Sequence, residues 1–148
     1  MSDERRHLKH AVYMQIAQQL ARLSTCRRLS VGAVVHRRDG SVAGVGYNGA
    51  LPGQPHCAPE TCNPMARCFN TRHAERSALD YSTGDIAAAY VTHEPCLRCT
   101  QDLIARSCRA VYYLRSYEIA DHAEQCARLH HRETNKVSWI QLEELCDT

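Results

Sequence analysis

No stretch of this sequence approaches the roughly 18 consecutive apolar residues that a membrane-spanning helix requires. The opening MSDERRHLKH also lacks the apolar centre of a secretory signal. The expected setting is cytoplasmic, with no membrane partner. Neither sign of charge dominates: 18 Lys and Arg stand against 16 Asp and Glu, a net +2. That is too weak a field to argue for a polynucleotide or membrane surface, although a small anionic ligand remains possible. Internal repeats, low-complexity runs and interdomain linkers are missing as well. With 148 residues, the expectation is a single domain over 1–148, long enough for one sizeable core.

What is plentiful is cysteine. The count of nine is odd, and without an export signal metal ligation or catalysis explains it better than a disulfide framework. The cysteines also cluster. Cys57, Cys62 and Cys68 share one loop-like stretch, Cys96 and Cys99 form C-x-x-C, and Cys26 precedes a predicted strand, whereas Cys108, Cys126 and Cys146 stand apart.

Apolar residues at helical spacing (Val12, Ile16, Leu20, Leu23) predict an amphipathic helix over Leu8 to Leu23. Val31 to His36 and Ser41 to Tyr47 are valine-rich and flank Arg-Arg-Asp-Gly, whose Asp-Gly pair suits a hairpin turn. From Asn48 to Asn70, four prolines, two glycines and three cysteines show neither period, so this long loop needs a staple or a job. A second helix is predicted from Arg72 to Tyr81, capped by Asn70 or Thr71 and ended before Gly84. A strand at Ile86 to Thr92 follows, then a helix from Cys96 or Leu97 to about Arg106 and a strand at Ala110 to Leu114. Tyr117 to Leu129 reads as a fourth helix and Lys136 to Leu142 as a possible fifth strand. A hairpin followed by alternating helix and strand implies an α/β fold, a mixed sheet covered by helices.

The chemistry concentrates in two short motifs. His73-Ala74-Glu75 supplies an imidazole and a carboxylate, and Pro95-Cys96-Leu97-Arg98-Cys99 supplies two thiolates. One histidine and two cysteines are the three protein ligands of a catalytic zinc site, which keeps a fourth position open for water. Residues two apart on a regular helix point roughly 200° away from each other, so His73 and Glu75 can share a site only at a helix start. The Cys-x-x-Cys falls at another predicted helix start, where the positive end of the dipole favours thiolates. Glu75 would then serve as general acid and base. Taken singly, a C-x-x-C is as often a structural zinc half-site or redox pair, and a lone histidine is usually an ordinary hydrogen-bonded residue. The pairing of H-x-E with P-C-x-x-C is the signature of zinc nucleobase deaminases.

Further stretches extend that likeness over nearly the whole chain, which resembles the bacterial and phage deoxycytidylate deaminases of the cytidine deaminase superfamily. Ser24 to Ala33 is similar to the first-strand motif of that family, and Gly46-Tyr47-Asn48-Gly49 with His56-Cys57 to its nucleotide-binding loop. Tyr90 to Cys96 and Ala110 to Tyr113 are similar to its metal loop and fourth strand. The resemblance implies a three-layer α/β/α fold with a five-stranded mixed sheet and a homo-oligomer, usually a hexamer. It also implies regulation by dCTP and dTTP, and hydrolysis of dCMP to dUMP and ammonia by zinc-bound hydroxide with a glutamate proton shuttle. Carried over to this chain, it makes Glu75 the shuttle, His73, Cys96 and Cys99 the catalytic zinc ligands, and Asn48 a partner of the deoxyribose. Arg28 is a candidate for the phosphate, with a solvated cation as the plain alternative. Tyr117 could stack on the base, with a packing or interface role as the alternative.

One position departs from the family pattern. Where H-A-E-x-N-A is usual, this chain has Ser77 in place of the asparagine, a shorter side chain with fewer hydrogen-bonding positions. That leaves open a preference for a 5-substituted dCMP. Cys26, Cys57, Cys62 and Cys68 make a complete set for a second, closed structural zinc, and related deaminases carry a comparable ion. It would tie the long loop down near Asn48, with His56 able to replace one thiolate; free buried thiols are the alternative. Two rivals remain. A nucleic-acid editing deaminase would want a basic stripe, and a zinc-stapled interaction module would have no use for Glu75.

Overall fold

A computed structural model describes residues 2–60, 62, 68 and 70–143. Cys146 lies outside them, as does part of the segment read as a long loop. The order is α1 (Asp3–Ala21), β1 (Gly32–His36), β2 (Val42–Tyr47), α2 (Ala74–Asp80), β3 (Ala88–His93), α3 (Leu97–Ala105), β4 (Ala110–Arg115), α4 (His122–Thr134) and β5 (Ser138–Gln141). The strands form one five-stranded sheet ordered β2-β1-β3-β4-β5. β1 is antiparallel to both neighbours, while β3, β4 and β5 run parallel. This is the expected mixed sheet.

The two-residue period of the strands divides the core between the faces of the sheet. Ala33, Val35, Ala89, Val91, Val111 and Tyr113 pack with Ala74, Ala78 and Leu79 of α2 and Leu103 of α3. Their neighbours Val34, Tyr90 and Leu114 point the other way, onto Met14 and Ala17 of α1. Close approach needs small residues. At Gly46 in β2 a Cβ would collide with the Ala74 carbonyl, and at Gly32 in β1 with that of Ala17, so these two glycines let α2 and α1 lie against the sheet.

Three helices depart from the sequence reading, each for a local reason. α1 begins five residues earlier than Leu8, because Ser2 caps it by accepting the Arg5 N–H at 3.2 Å, with Asp3 and Glu4 in the first turn. Its Val12 and Ile16 face outward, as does Leu23 just beyond its end at 57% exposed, while Met14 and Ala17 face the sheet. Of the predicted apolar period only Leu20 packs against the core beside Met14 and Ala17, where Gly32 lets the helix lie close. α2 is capped by His73, not by Asn70 or Thr71. Gly49 and Arg72 exchange backbone hydrogen bonds at 3.1 and 2.8 Å, so the chain stays extended up to the metal-motif histidine. α4 starts at His122, five residues after Tyr117. The amides of Tyr117 and Ile119 are taken by Glu94 and Gln125, and Asp121 caps the helix by accepting the Glu124 N–H at 2.9 Å.

Candidate active site

α2 and α3 begin side by side, and the motif residues sit at their beginnings. His73 is the N-cap of α2, extended at φ −73° and ψ 150°, and Glu75 lies in the first turn. Cys96 is the N-cap of α3, its sulfur accepting the Cys99 N–H at 3.5 Å. Because His73 is outside the helical repeat, its ring and the Glu75 carboxyl escape the 200° divergence of a regular helix. β3 leads into the Pro95-Cys96 turn, which puts the site beyond the carboxyl end of a parallel strand, where open α/β sheets bind their ligands.

The geometry tests the fit of a metal. His73 Nδ1 is 3.3 Å from Cys99 Sγ and 3.5 Å from Cys96 Sγ. With bonds of about 2.3 Å to sulfur and about 2.0 Å to nitrogen, tetrahedral zinc separates those ligand atoms by roughly 3.5 Å. The three side chains therefore stand at ligand spacing. Among the described residues they are the one group of three or more His, Cys, Asp or Glu whose ligand atoms all lie within 4.8 Å of one another. Three ligands leave an open position, as hydrolytic zinc sites do and closed structural ones do not.

The electrostatics point the same way. Cys96 is pushed down to about 4 by its hydrogen bond with Cys99 and by His73. Cys99 is pushed up by that same hydrogen bond and by burial. The bond to Cys96 raises His73. Glu75, 5% exposed, is pushed up to about 7, first by burial and then by the Cys96 charge. A first-turn helix dipole favours the carboxylate by only about 1 kcal/mol. A shift of that size, from 4.5 to about 7, corresponds to roughly 3 kcal/mol, so desolvation prevails. Three potential anions crowded around one imidazole are a donor set that a dication would relieve.

The other expected residues fall less neatly. Asn48 is buried, with Oδ1 accepting the Val31 N–H at 2.8 Å and Nδ2 donating to the Leu29 carbonyl at 2.7 Å. It pins the chain leading from Arg28 into β1. Arg28 is exposed on that segment. Ser77 is half-buried, near Gly46. Tyr117 is 42% exposed in the segment before α4. A cavity of about 310 Å³ lined by Leu51, Gln54, Asn70, Thr71 and Arg72 adjoins the approach to His73.

The second cysteine set is not gathered among the described residues. Cys57 and Cys68 lie 3.9 and 3.4 Å from the Thr71 hydroxyl, and the Asn70 amide donates to the Cys57 sulfur at 3.2 Å. The Cys26 sulfur instead accepts the Arg28 N–H at 3.5 Å, and His56 is exposed. The sequence reading also passed over two residues, Glu94 and Arg128. Glu94 entered only as one position of the Tyr90 to Cys96 stretch and Arg128 not at all, yet Arg128 is 2% exposed and donates to the Pro95 carbonyl at 2.9 Å.

Residues 8–115 match the family described as "Cytidine and deoxycytidylate deaminase zinc-binding region". The chain is 39% identical over 119 residues to ComE operon protein 2 of Bacillus subtilis, an alignment covering 76% of this chain but 62% of that protein. It is 35% identical over 119 residues to the deoxycytidylate deaminase of Mycobacterium phage D29, covering 68% of this chain and 90% of the phage protein. Its fold is similar to that of the dCMP deaminase of cyanophage S-TIM5 solved with dCMP and dUMP. There the TM-score is 0.72 and the identity 26%, over 96% of this chain and 99% of the phage chain.

Proposed function

The chain belongs to the cytidine and deoxycytidylate deaminase family, and from that premise we propose that it hydrolyses dCMP to dUMP and ammonia. The observation that carries the proposal is the triangle of His73, Cys96 and Cys99 at zinc spacing, with the buried Glu75 against it. Relatives named for this activity, at 35% and 26% identity, support the choice of nucleotide.

Zinc bound there supplies Lewis acidity and water acidified enough to act as a nucleophile near neutral pH. Glu75 accepts the proton as the water oxygen adds to C4 and delivers it to N3 of the ring. It then takes the proton left on the C4 oxygen to the exocyclic nitrogen as the C4–N4 bond breaks, so ammonia leaves and the oxygen remains as the carbonyl of the product. Such a relay needs a group that holds and releases protons close to the working pH. Burial raises Glu75 towards neutrality, and that is the physical reason a glutamate can do this work here.

Asn48 fixes the floor of the nucleotide site through the 29–31 backbone and offers its remaining amide hydrogen to the deoxyribose. Arg28 is the proposed phosphate ligand, Tyr117 the proposed base-side contact, and Ser77 the position that sets tolerance at C5 of the base. The proposal includes a second zinc on Cys26, Cys57, Cys62 and Cys68, a cytoplasmic homo-oligomer with a hexamer favoured, and dCTP and dTTP as regulatory ligands. What supports these last points is the family resemblance. No helix among the described residues is long and apolar enough to cross a membrane.

The test is ammonia release from cytidine, deoxycytidine, CMP, dCMP, dCTP and 5-methyl-dCMP under one set of conditions. The expected order puts dCMP first. Equal rates on deoxycytidine, CMP and dCMP would remove the roles given to Arg28 and Asn48, and a strong preference for 5-methyl-dCMP would single out Ser77.

A further inference from the structure

We propose that Arg128 is a positioning residue that holds the Cys96-bearing turn and the Tyr117 segment as one unit. Pro95 is fully buried, and its carbonyl receives Nη1 of Arg128 at 2.9 Å, one residue before the ligand Cys96. Nη2 lies 3.2 Å from Gln125 Oε1 and 3.4 Å from Glu94 Oε1. The Glu94 carboxylate, also nearly buried, collects two more donors: the Tyr117 N–H on Oε1 at 3.1 Å and the Trp139 indole on Oε2 at 2.7 Å. Gln125 closes the circuit by accepting the Ile119 N–H at 3.1 Å. Five segments therefore meet at one guanidinium and one carboxylate: the end of β3, the metal turn, the 116–121 segment, α4 and β5.

A buried ion pair is a poor way merely to fill space, since desolvating two charges is costly and apolar residues of equal volume often do as well or better. What a guanidinium adds is geometry. Its planar fork reaches the Pro95 carbonyl and Glu94 together, whereas a lysine ammonium on its flexible stem acts as a point charge and cannot reproduce that fork. The partners of a metal ligand's immediate surroundings govern how well the ligand is aimed, and losing one commonly weakens metal binding 10–100-fold. Arg128 acts on Cys96 through the backbone of Pro95, and on Tyr117 through Glu94.

The experiment compares wild type, Arg128→Lys, Arg128→Met and Glu94→Gln as full-length, metal-loaded proteins. Zinc affinity is measured by chelator competition, the cobalt-substituted site by its visible absorption, and folding by thermal melting, with Cys99→Ser assigning the signal that belongs to this cluster. Arg128→Lys should melt within a few degrees of wild type yet bind this zinc about 10-fold more weakly, with shifted cobalt bands. Arg128→Met should show a larger loss, and Arg128→Lys decides the matter if Arg128→Met does not fold. In the Glu94→Gln background, Arg128→Lys should add less than it does in wild type, because the two act in one circuit. Zinc affinity within twofold of wild type and unchanged cobalt bands in Arg128→Lys would overturn the proposal, whatever the melting temperature. The inference rests on a metal at His73, Cys96 and Cys99 and not on the choice of substrate. A wild type inert towards dCMP would therefore refute the proposed reaction and leave these measurements standing.

Discussion

The two groups of cysteines proposed to hold metal in this chain are built on opposite plans. His73, Cys96 and Cys99 sit on the first residues of two helices packed against the sheet, and their side-chain nitrogen and sulfur atoms converge. Cys26, Cys57 and Cys68 lie on irregular segments, and two of them converge only as far as the hydroxyl of Thr71. The difference teaches where the ordering entropy is met. At the first site hydrophobic packing under α2 and α3 has already met it, so the binding of the proposed ion would be left for chemistry. At the second, the proposed ion would itself have to order a segment rich in proline and glycine, so its binding free energy would become folding free energy.

The most severe way to break the comparison is Cys99→Ser. It should abolish activity and remove the ion at the first site, because oxygen is a poor substitute in a thiolate set, and elemental analysis with a turnover assay checks both. Next comes Glu75→Gln, which keeps the packing and the metal while turnover falls at least ~100-fold, since an amide cannot relay the proton. Near-wild-type turnover in that variant would sink the mechanism. A milder loss is expected at the other set. Wild type should carry two zinc ions per chain, and Cys62→Ser or Cys68→Ser should lower the count towards one. Those variants should melt several degrees lower and bind nucleotide more weakly, with residual turnover retained. One zinc in wild type, unchanged in both variants, would mean that these cysteines are ordinary thiols. The smallest effect sharpens the contrast directly. On partial chelation, amide exchange should quicken over residues 48–70, while α2 and α3 keep their protection because the core beneath them is apolar packing. Equal loss of protection in both regions would contradict the difference in plan.

Much of this was legible because it is local. The Asp-Gly turn between two valine-rich runs and the motif residues at helix starts both follow from residues a few positions apart. The D-x-x-E of Asp121 and Glu124 would have located the start of α4 had the cap been weighed above the aromatic and apolar residues before it. The inward face of α1 was not legible, because Leu8, Val12 and Ile16 carry as strong an apolar period as the side that packs. Only the width of the groove at Gly32 selects between them.

The sequence by itself determined which histidine, cysteines and glutamate make up the candidate site and the order of helices and strands, since each depends on side-chain chemistry and on spacing within one element. Tertiary structure alone decided that Asn48 spends its amide on the backbone of Leu29 and Val31, and that Arg128 is buried on the carbonyl beside Cys96. It also decided that one sulfur set converges while the other stays apart. The physical reason is common to all three. Burial and hydrogen-bond partnership are properties of what covers a residue, and segments distant in the chain supply that cover only once the sheet has assembled.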